Sequence, residues 1–196
     1  MILTLNERKV LRLLATTIGK SASMNDIGKQ CGITSGGAHK ILTKLDREGV
    51  IKATFIGNLK VYKLDFEHEK TASVLELAFI QDSFEGRVKM RVNDLQNMKQ
   101  VTKAGVLFGS YITTKKEPSD LDVLFVLERK NFEEYKKILN RIQDIVPIKI
   151  QDVVQTEEDL RQNLKKNDAI ITAALRDGIV LWGFDMLVQV IKNASK

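Results

Sequence analysis

A chain of 196 residues with a formal net charge of +6 is long enough to bury one large core or two smaller ones. Its 43% hydrophobic and 29% charged residues are the balance of a soluble protein. No apolar run approaches the ~18 residues of a membrane span, and the N-terminus MILTLNERKV lacks a signal-peptide apolar stretch, which points to the cytoplasm. Cys31 is the one cysteine, so an internal disulfide and a cysteine-based metal cluster are excluded, and it reads as a small buried side chain in a helix.

The charge is unevenly placed. Residues 1–65 hold eleven Lys or Arg against five Asp or Glu, whereas residues 66–196 hold twenty of each. A polyanion partner is therefore expected for the first third alone. Asn6 to Thr17 carries Val10, Leu11, Leu13 and Leu14 at helical spacing, with Asn6 placed to cap. A shorter helix follows from Met24 to Cys31. Gly32 breaks the chain, and Thr34 can cap a third helix from Ser35 to about Glu48, with Ala38, Leu42 and Leu45 on one face and Ser35, Gly36, His39, Lys40 and Thr43 on the other. Gly49 ends it, and Val50–Phe55 and Leu59–Leu64 read as a hairpin about Ile56, Gly57 and Asn58.

Helix, helix, glycine turn, helix and hairpin is the order of a winged helix-turn-helix, and residues 5–65, above all GITSGGAHKILTKLDREGVI (32–51), resemble that family. The resemblance implies double-stranded DNA as the partner of a domain over residues 1–65. Ser35, Gly36, His39 and Lys40 would face bases, while Lys44, Lys52 and Lys60 would neutralise phosphates. A protein-interaction or dimerisation module is the competing reading of the same pattern.

Residues 66–100 read as a helical connector. Ala72–Ile80 is almost continuously apolar and must be covered, either by the rest of the chain or by its copy in a homodimer. Glu85–Gln100 places Val88, Val92 and Leu95 on a narrower stripe, with Arg87, Lys89 and Arg91 expected on a solvated face.

The third region, 101–196, opens with a short apolar run, Gly105–Phe108, that stops at Gly109 and Ser110; a second, Leu121–Leu127, has Asp120 and Asp122 at its entry. Side chains two apart on a strand share a face, so the two carboxylates point the same way and repel unless a cation lies between them. Hard oxygen ligands suit Mg²⁺. Gly109 lets backbone approach a phosphate, and Ser110 adds a hydroxyl and an N–H. A hairpin with a polar turn is the bland alternative.

Gly109-Ser110 followed by Ser119-Asp120-Leu121-Asp122 resembles the catalytic motif of polymerase-β-like nucleotidyltransferases, especially the minimal ones. The resemblance implies Gly109, Ser110 and Ser119 at the nucleotide and a third carboxylate on a later strand. Asp152 in PIKIQDVV (147–154) is the candidate, brought to the same edge if the strands are antiparallel neighbours. Ile112, Thr113 and Thr114 stand where family members often carry Ala-Arg-Gly, and Lys115 and Lys116 follow as either substitutes or solvated loop lysines. Further on are a helix (131–145), helices over 157–164 and 167–175, a short strand (178–182) and a closing helix (184–192).

The expected fold is α+β, an N-terminal winged helix-turn-helix followed by a small mixed-sheet nucleotidyltransferase domain with helices. The expected activity is two-metal transfer of a nucleoside monophosphate from a nucleoside triphosphate to an acceptor the sequence does not name. Asp120, Asp122 and Asp152 would hold two Mg²⁺ ions, or Mn²⁺ in their place. A transcriptional regulator whose second domain senses nucleotide such as ATP, or binds nothing, is the alternative.

Overall fold

Thr4, not Asn6, starts the first helix. Its hydroxyl accepts from the Glu7 N–H while the Glu7 carboxylate accepts from the Thr4 N–H, a reciprocal cap that satisfies two otherwise unpaired donors. In the computed structural model, which describes residues 2–113 and 118–196, α1 (Leu5–Thr16) then runs to a short strand, β1 (Ala22–Ser23). Two residues are too few to show alternation, so nothing in the sequence announced it. Ser23 and Asp26 form the same kind of cap on α2 (Met24–Cys31), Gly32 ends that helix in the left-handed region, and Thr34 caps α3 (Ser35–Arg47) as expected. Ala38, Leu42 and Leu45 of α3 are buried. The hairpin of β2 (Ile51–Ile56) and β3 (Leu59–Leu64) joins β1 in an antiparallel sheet of order β1-β3-β2. This is the winged-helix arrangement.

The connector is helical in separate pieces. α4 (Lys70–Phe79) and α5 (Gly86–Asp94) are separate, and a 3₁₀ turn covers Gln96–Gln100. Val74, Leu75, Ala78 and Phe79 of α4 are buried within this chain's own core. Of the apolar stripe offered for a homodimer contact, Leu77 and Ile80 remain partly exposed. This chain's own core thus covers one face of α4 and leaves Leu77 and Ile80 uncovered.

The second sheet comprises β4 (Ala104–Phe108), β5 (Asp120–Val126), β6 (Lys149–Gln155) and β7 (Ile179–Trp182) in the order β6-β5-β4-β7. β4 runs antiparallel to β5 and to β7, but β5 and β6 are parallel. The antiparallel pairing expected for the Asp152 strand is therefore corrected. α6 (Phe132–Gln143) carries the chain back across the sheet between them, and a helical crossover of that kind returns the next strand in the same direction. α7 (Glu157–Lys165), α8 (Ala169–Asp177) and α9 (Phe184–Ala194) complete the fold, which is α+β with a mixed sheet.

Alternation gives that sheet two buried faces. Val106, Leu124 and Val126 belong to a core that also takes in Leu160, Leu175 and Leu187 and runs without a break into Val10, Leu11 and Leu42 of the N-terminal helices. Leu107, Val123, Phe125 and Ile150 face the other way, onto Val92, Leu95, Tyr135 and Ile138. A polar tie crosses the first core. The buried Arg12 guanidinium donates to the Leu175 carbonyl at 2.7 and 3.0 Å and to the Gly178 carbonyl, and it lies over the Phe79 ring. Burial lowers its pKa to about 10, still far above neutrality, so the charge stays. Among the described residues, no helix is long and apolar enough to cross a membrane.

Candidate functional site

Asp120 and Asp122 open β5 and project on the same face of the sheet as Leu124 and Val126. Asp122 is the register partner of Phe108, the last residue of β4, so the chain leaves β4 directly beside it. Gly109 follows with φ +74°, and a Cβ there would lie 2.0 Å from Asp122 Oδ2. The glycine is required twice, for the left-handed backbone and for the close approach of that backbone to the carboxylate. Ser110 is exposed in the 3₁₀ turn Gly109–Ile112, and its carbonyl accepts from the Thr113 N–H and hydroxyl.

The two acids are electrostatically unequal. Asp120 is held below the ordinary carboxylate range by hydrogen bonds from Ser119, whose hydroxyl donates at 2.7 Å, and from Gln151, with Lys149 nearby. Asp122 is pushed up, first by burial and then by the charge of Asp120. A carboxylate that is hard to ionise beside one that is ionised is the donor set a divalent cation stabilises. The pair and the Gly109 backbone thus fit one hard metal ion.

The third carboxylate is not with them. Asp152 is the register partner of Val123, and Gln151 that of Asp122. Partners across parallel strands share a face, so Gln151 stands beside the acids while Asp152 projects through the opposite side. There the buried Tyr135 hydroxyl donates to Asp152 Oδ2 at 2.7 Å, and burial with that carboxylate pushes the Tyr135 pKa up. The assignment of Asp152 as metal ligand and proton acceptor is corrected accordingly. Among the described residues, no group of three or more His, Cys, Asp or Glu is arranged to hold a metal.

Arg87 is a neighbour of the Gly-Ser loop that periodicity hid. It was expected on a solvated face, but it donates to the Thr113 carbonyl and lies 5.2 Å from the centre of the Tyr111 ring. The turn is held by an arginine from α5, and no local spacing could have signalled a contact made across the fold. Thr114, Lys115 and Lys116 lie outside the described residues.

On the N-terminal module, Ser35, Gly36, His39 and Lys40 are exposed along one side of α3, with an apolar wing tip of Phe55, Ile56 and Leu59 also exposed. Lys44, expected to neutralise a phosphate, is already paired. Its ammonium pairs at 2.7 Å with Glu7, a carboxylate almost fully buried, so its charge is answered inside the domain. Burial alone would raise the pKa of Glu7, but hydrogen bonds from Lys44 and Thr4 bring it below the ordinary value. Lys52 and Lys60 fall on opposite faces of the hairpin. Lys60 pairs with Phe55 and lies over the Tyr62 ring, whereas Lys52 pairs with Lys63.

The family model for polymerase beta nucleotidyltransferases matches residues 91–185, the stretch that contains the acids, Gly109 and all of the second sheet. No curated protein sequence matches the chain. Among solved structures, the crystal structure of a MepR mutant from a multidrug resistant S. aureus clinical isolate aligns at 14% identity and a TM-score of 0.38, covering 73% of this chain and 79% of that one.

Proposed function

We propose that the C-terminal domain binds a nucleoside triphosphate with Mg²⁺ held by Asp120 and Asp122, transfers its nucleoside monophosphate to an acceptor, and does so joined to a DNA-binding winged helix. The observation that carries this reading is the pair of carboxylates on one sheet face against the bare backbone of Gly109, within a region matching the polymerase beta nucleotidyltransferase model. The ion, or Mn²⁺ in its place, would supply charge neutralisation at the triphosphate. Gly109 and Ser110 offer backbone N–H groups and a hydroxyl to phosphate oxygens, Ser119 and Gln151 keep Asp120 ionised, and Arg87 fixes the turn that presents them. Positioning and preorganised charge do the work in such a site, so loss of either acid is severe.

Two carboxylates supply ligands for the triphosphate-side ion, and Gln151 is no substitute for a third acid in activating an acceptor hydroxyl. This favours a second reading, in which the domain senses nucleotide and the winged helix answers. The unbroken core between the modules gives such a signal a path. In both readings the protein is cytoplasmic, and α3 meets DNA bases through Ser35, Gly36, His39 and Lys40 while Lys60 meets phosphate.

Calorimetric titration of ATP, GTP, CTP and UTP with Mg²⁺, repeated on Asp120→Asn/Asp122→Asn, tests the site. Magnesium-dependent binding abolished by the double substitution is expected, and its absence for all four nucleotides refutes both readings. Release of labelled pyrophosphate on adding acceptor mixtures then separates the transferase from the sensor.

A further inference from the structure

A groove of about 370 Å³, within the ~300–1,000 Å³ range of ligand sites, lies where the wing meets the end of the last helix. It is lined by Lys20 from the turn after α1, Lys52 and Lys63 from the wing, and Lys192 from the last turn of α9, against Asp65 and Glu67. No residue of α3 lines it, and neither does Asp120 or Asp122. Lys52 and Lys63 are direct register partners, so two like charges face each other across the hairpin, an arrangement that destabilises a sheet unless an anion answers it. Among the described residues no ion pair involves Lys20, Lys52, Lys63 or Lys192, although other lysines of the chain, such as Lys44 and Lys103, are paired. Of the two carboxylates, Asp65 already accepts from the Glu67 N–H.

We propose that this groove is an oligophosphate-binding site, separate from the carboxylate pair, that bridges the wing to α9. Lysine suits the task. Its ammonium is a point charge with three donors on a flexible stem, and four from separate elements can follow a chain of phosphates without a fixed geometry. The ligand ties a wing strand to the helix that packs beneath the second sheet, so occupancy restrains one module relative to the other. The phosphate chain has two sources, a free oligophosphate or a nucleic-acid backbone continuing past the wing, and they share the recognition chemistry.

The probe is inorganic tripolyphosphate, titrated calorimetrically into the full chain at low salt with EDTA present, so that metal-dependent binding at Asp120 and Asp122 is silent. Binding is expected, weakening steeply as salt rises. Lys63→Gln/Lys192→Gln should weaken it at least about tenfold, whereas Lys166→Gln, at an exposed lysine that does not line the groove, and Asp120→Asn/Asp122→Asn should leave it within about twofold. A thermal unfolding midpoint no lower than that of the wild type would establish that the lysine substitutions leave the fold intact. A parallel titration of labelled duplex DNA names the source: if the double lysine variant weakens duplex and tripolyphosphate binding alike, the backbone occupies the groove, and if duplex binding is unchanged, a free oligophosphate does. No binding of tripolyphosphate, or binding indifferent to Lys63→Gln/Lys192→Gln, overturns the proposal whatever happens at the carboxylates.

Discussion

Adding one methyl group at Gly109 should disable the nucleotide site while leaving the protein folded. A Cβ built on Gly109 lies 2.0 Å from Asp122 Oδ2, 2.8 Å from its Cγ and 3.1 Å from its Cβ. Gly109 also sits at φ +74°, where an L side chain costs roughly 1–2 kcal/mol. Gly57, at the wing tip, separates the two effects. Its φ is +59° and nothing lies within 4 Å of an added Cβ, so Gly57→Ala carries the backbone cost without the collision. Both variants should therefore lose about 1–2 kcal/mol in urea unfolding. Only Gly109→Ala must also swing Asp122 away from Asp120, because the alternative is to move the end of β4, which is paired on both sides. With the carboxylates parted, affinity for Mg²⁺-nucleotide should fall at least ~10-fold, about 1.4 kcal/mol, by calorimetry. Wild-type affinity in Gly109→Ala would refute the reasoning, since the approach of backbone to carboxylate would then be incidental to binding.

Asp152→Asn should change Mg²⁺-nucleotide affinity less than about twofold, while Asp120→Asn or Asp122→Asn abolishes it, as read by the same titration. Gln151→Asp puts a third acid beside the pair in place of an amide donor, and Mn²⁺ binding followed by electron paramagnetic resonance should tighten by roughly tenfold. Arg12→Ala strands the Leu175 and Gly178 carbonyls in the core and should cost roughly 2–4 kcal/mol in urea unfolding. Lys44→Met should cost about 1–2 kcal/mol at neutral pH, and the loss should shrink in acid. The lowered pKa of wild-type Glu7 gives a stability present above the ordinary value of 4.5 and lost as pH falls through the folded value. In Lys44→Met only the Thr4 hydrogen bonds still oppose the burial of Glu7, so its pKa lies higher than in the wild type and that variant loses less stability over the same descent. Thermal unfolding followed from pH 7 toward ~3 should show the two curves converging, and a constant gap would sink the account.

Where an element was set by its own residues, the sequence was enough to place it. Thr34 and Gly32 bracket the turn before α3, and the spacing of Ala38, Leu42 and Leu45 gave both the helix and its buried face. Asn6 failed as a cap because Thr4 and Glu7 satisfy each other's N–H groups two residues earlier, a reciprocal pair that a search for one capping residue passes over. The connector's apolar positions keep helical spacing on both sides of residues 80–85, so the pattern alone does not mark where its first helix ends. Ile80 is nonetheless extended, with Arg8 of α1 donating to its carbonyl. That contact is 72 residues away in sequence and leaves no trace in a local pattern.

The site shows the same limit more sharply, because a strand's pattern tells which residues share a face but not which face of the sheet it is. Ile150 and Asp152 do lie on one side of β6, with Ile148 just before the strand packed in the same cluster as Ile150, and Asp120, Asp122, Leu124 and Val126 lie on one side of β5, as alternation predicts. The two sets belong to opposite cores, with Ile150 packed among Leu121, Val123 and Phe125 and Leu124 packed among Val106 and Val126. Matching hydrophobic residues in both sets made them look equivalent, since the sheet is buried on its two sides and each supplies an apolar environment. What decides between them is the register of two parallel strands joined by α6, and a shift of one residue reverses every side chain of β6. Had β6 slipped by one, Asp152 would stand where Gln151 stands, beside Asp120. The chain instead holds Asp152 with the buried hydroxyl of Tyr135, which would be left without its acceptor by that slip. The Tyr135–Asp152 bond is thus kept only in the register that makes this a two-carboxylate site.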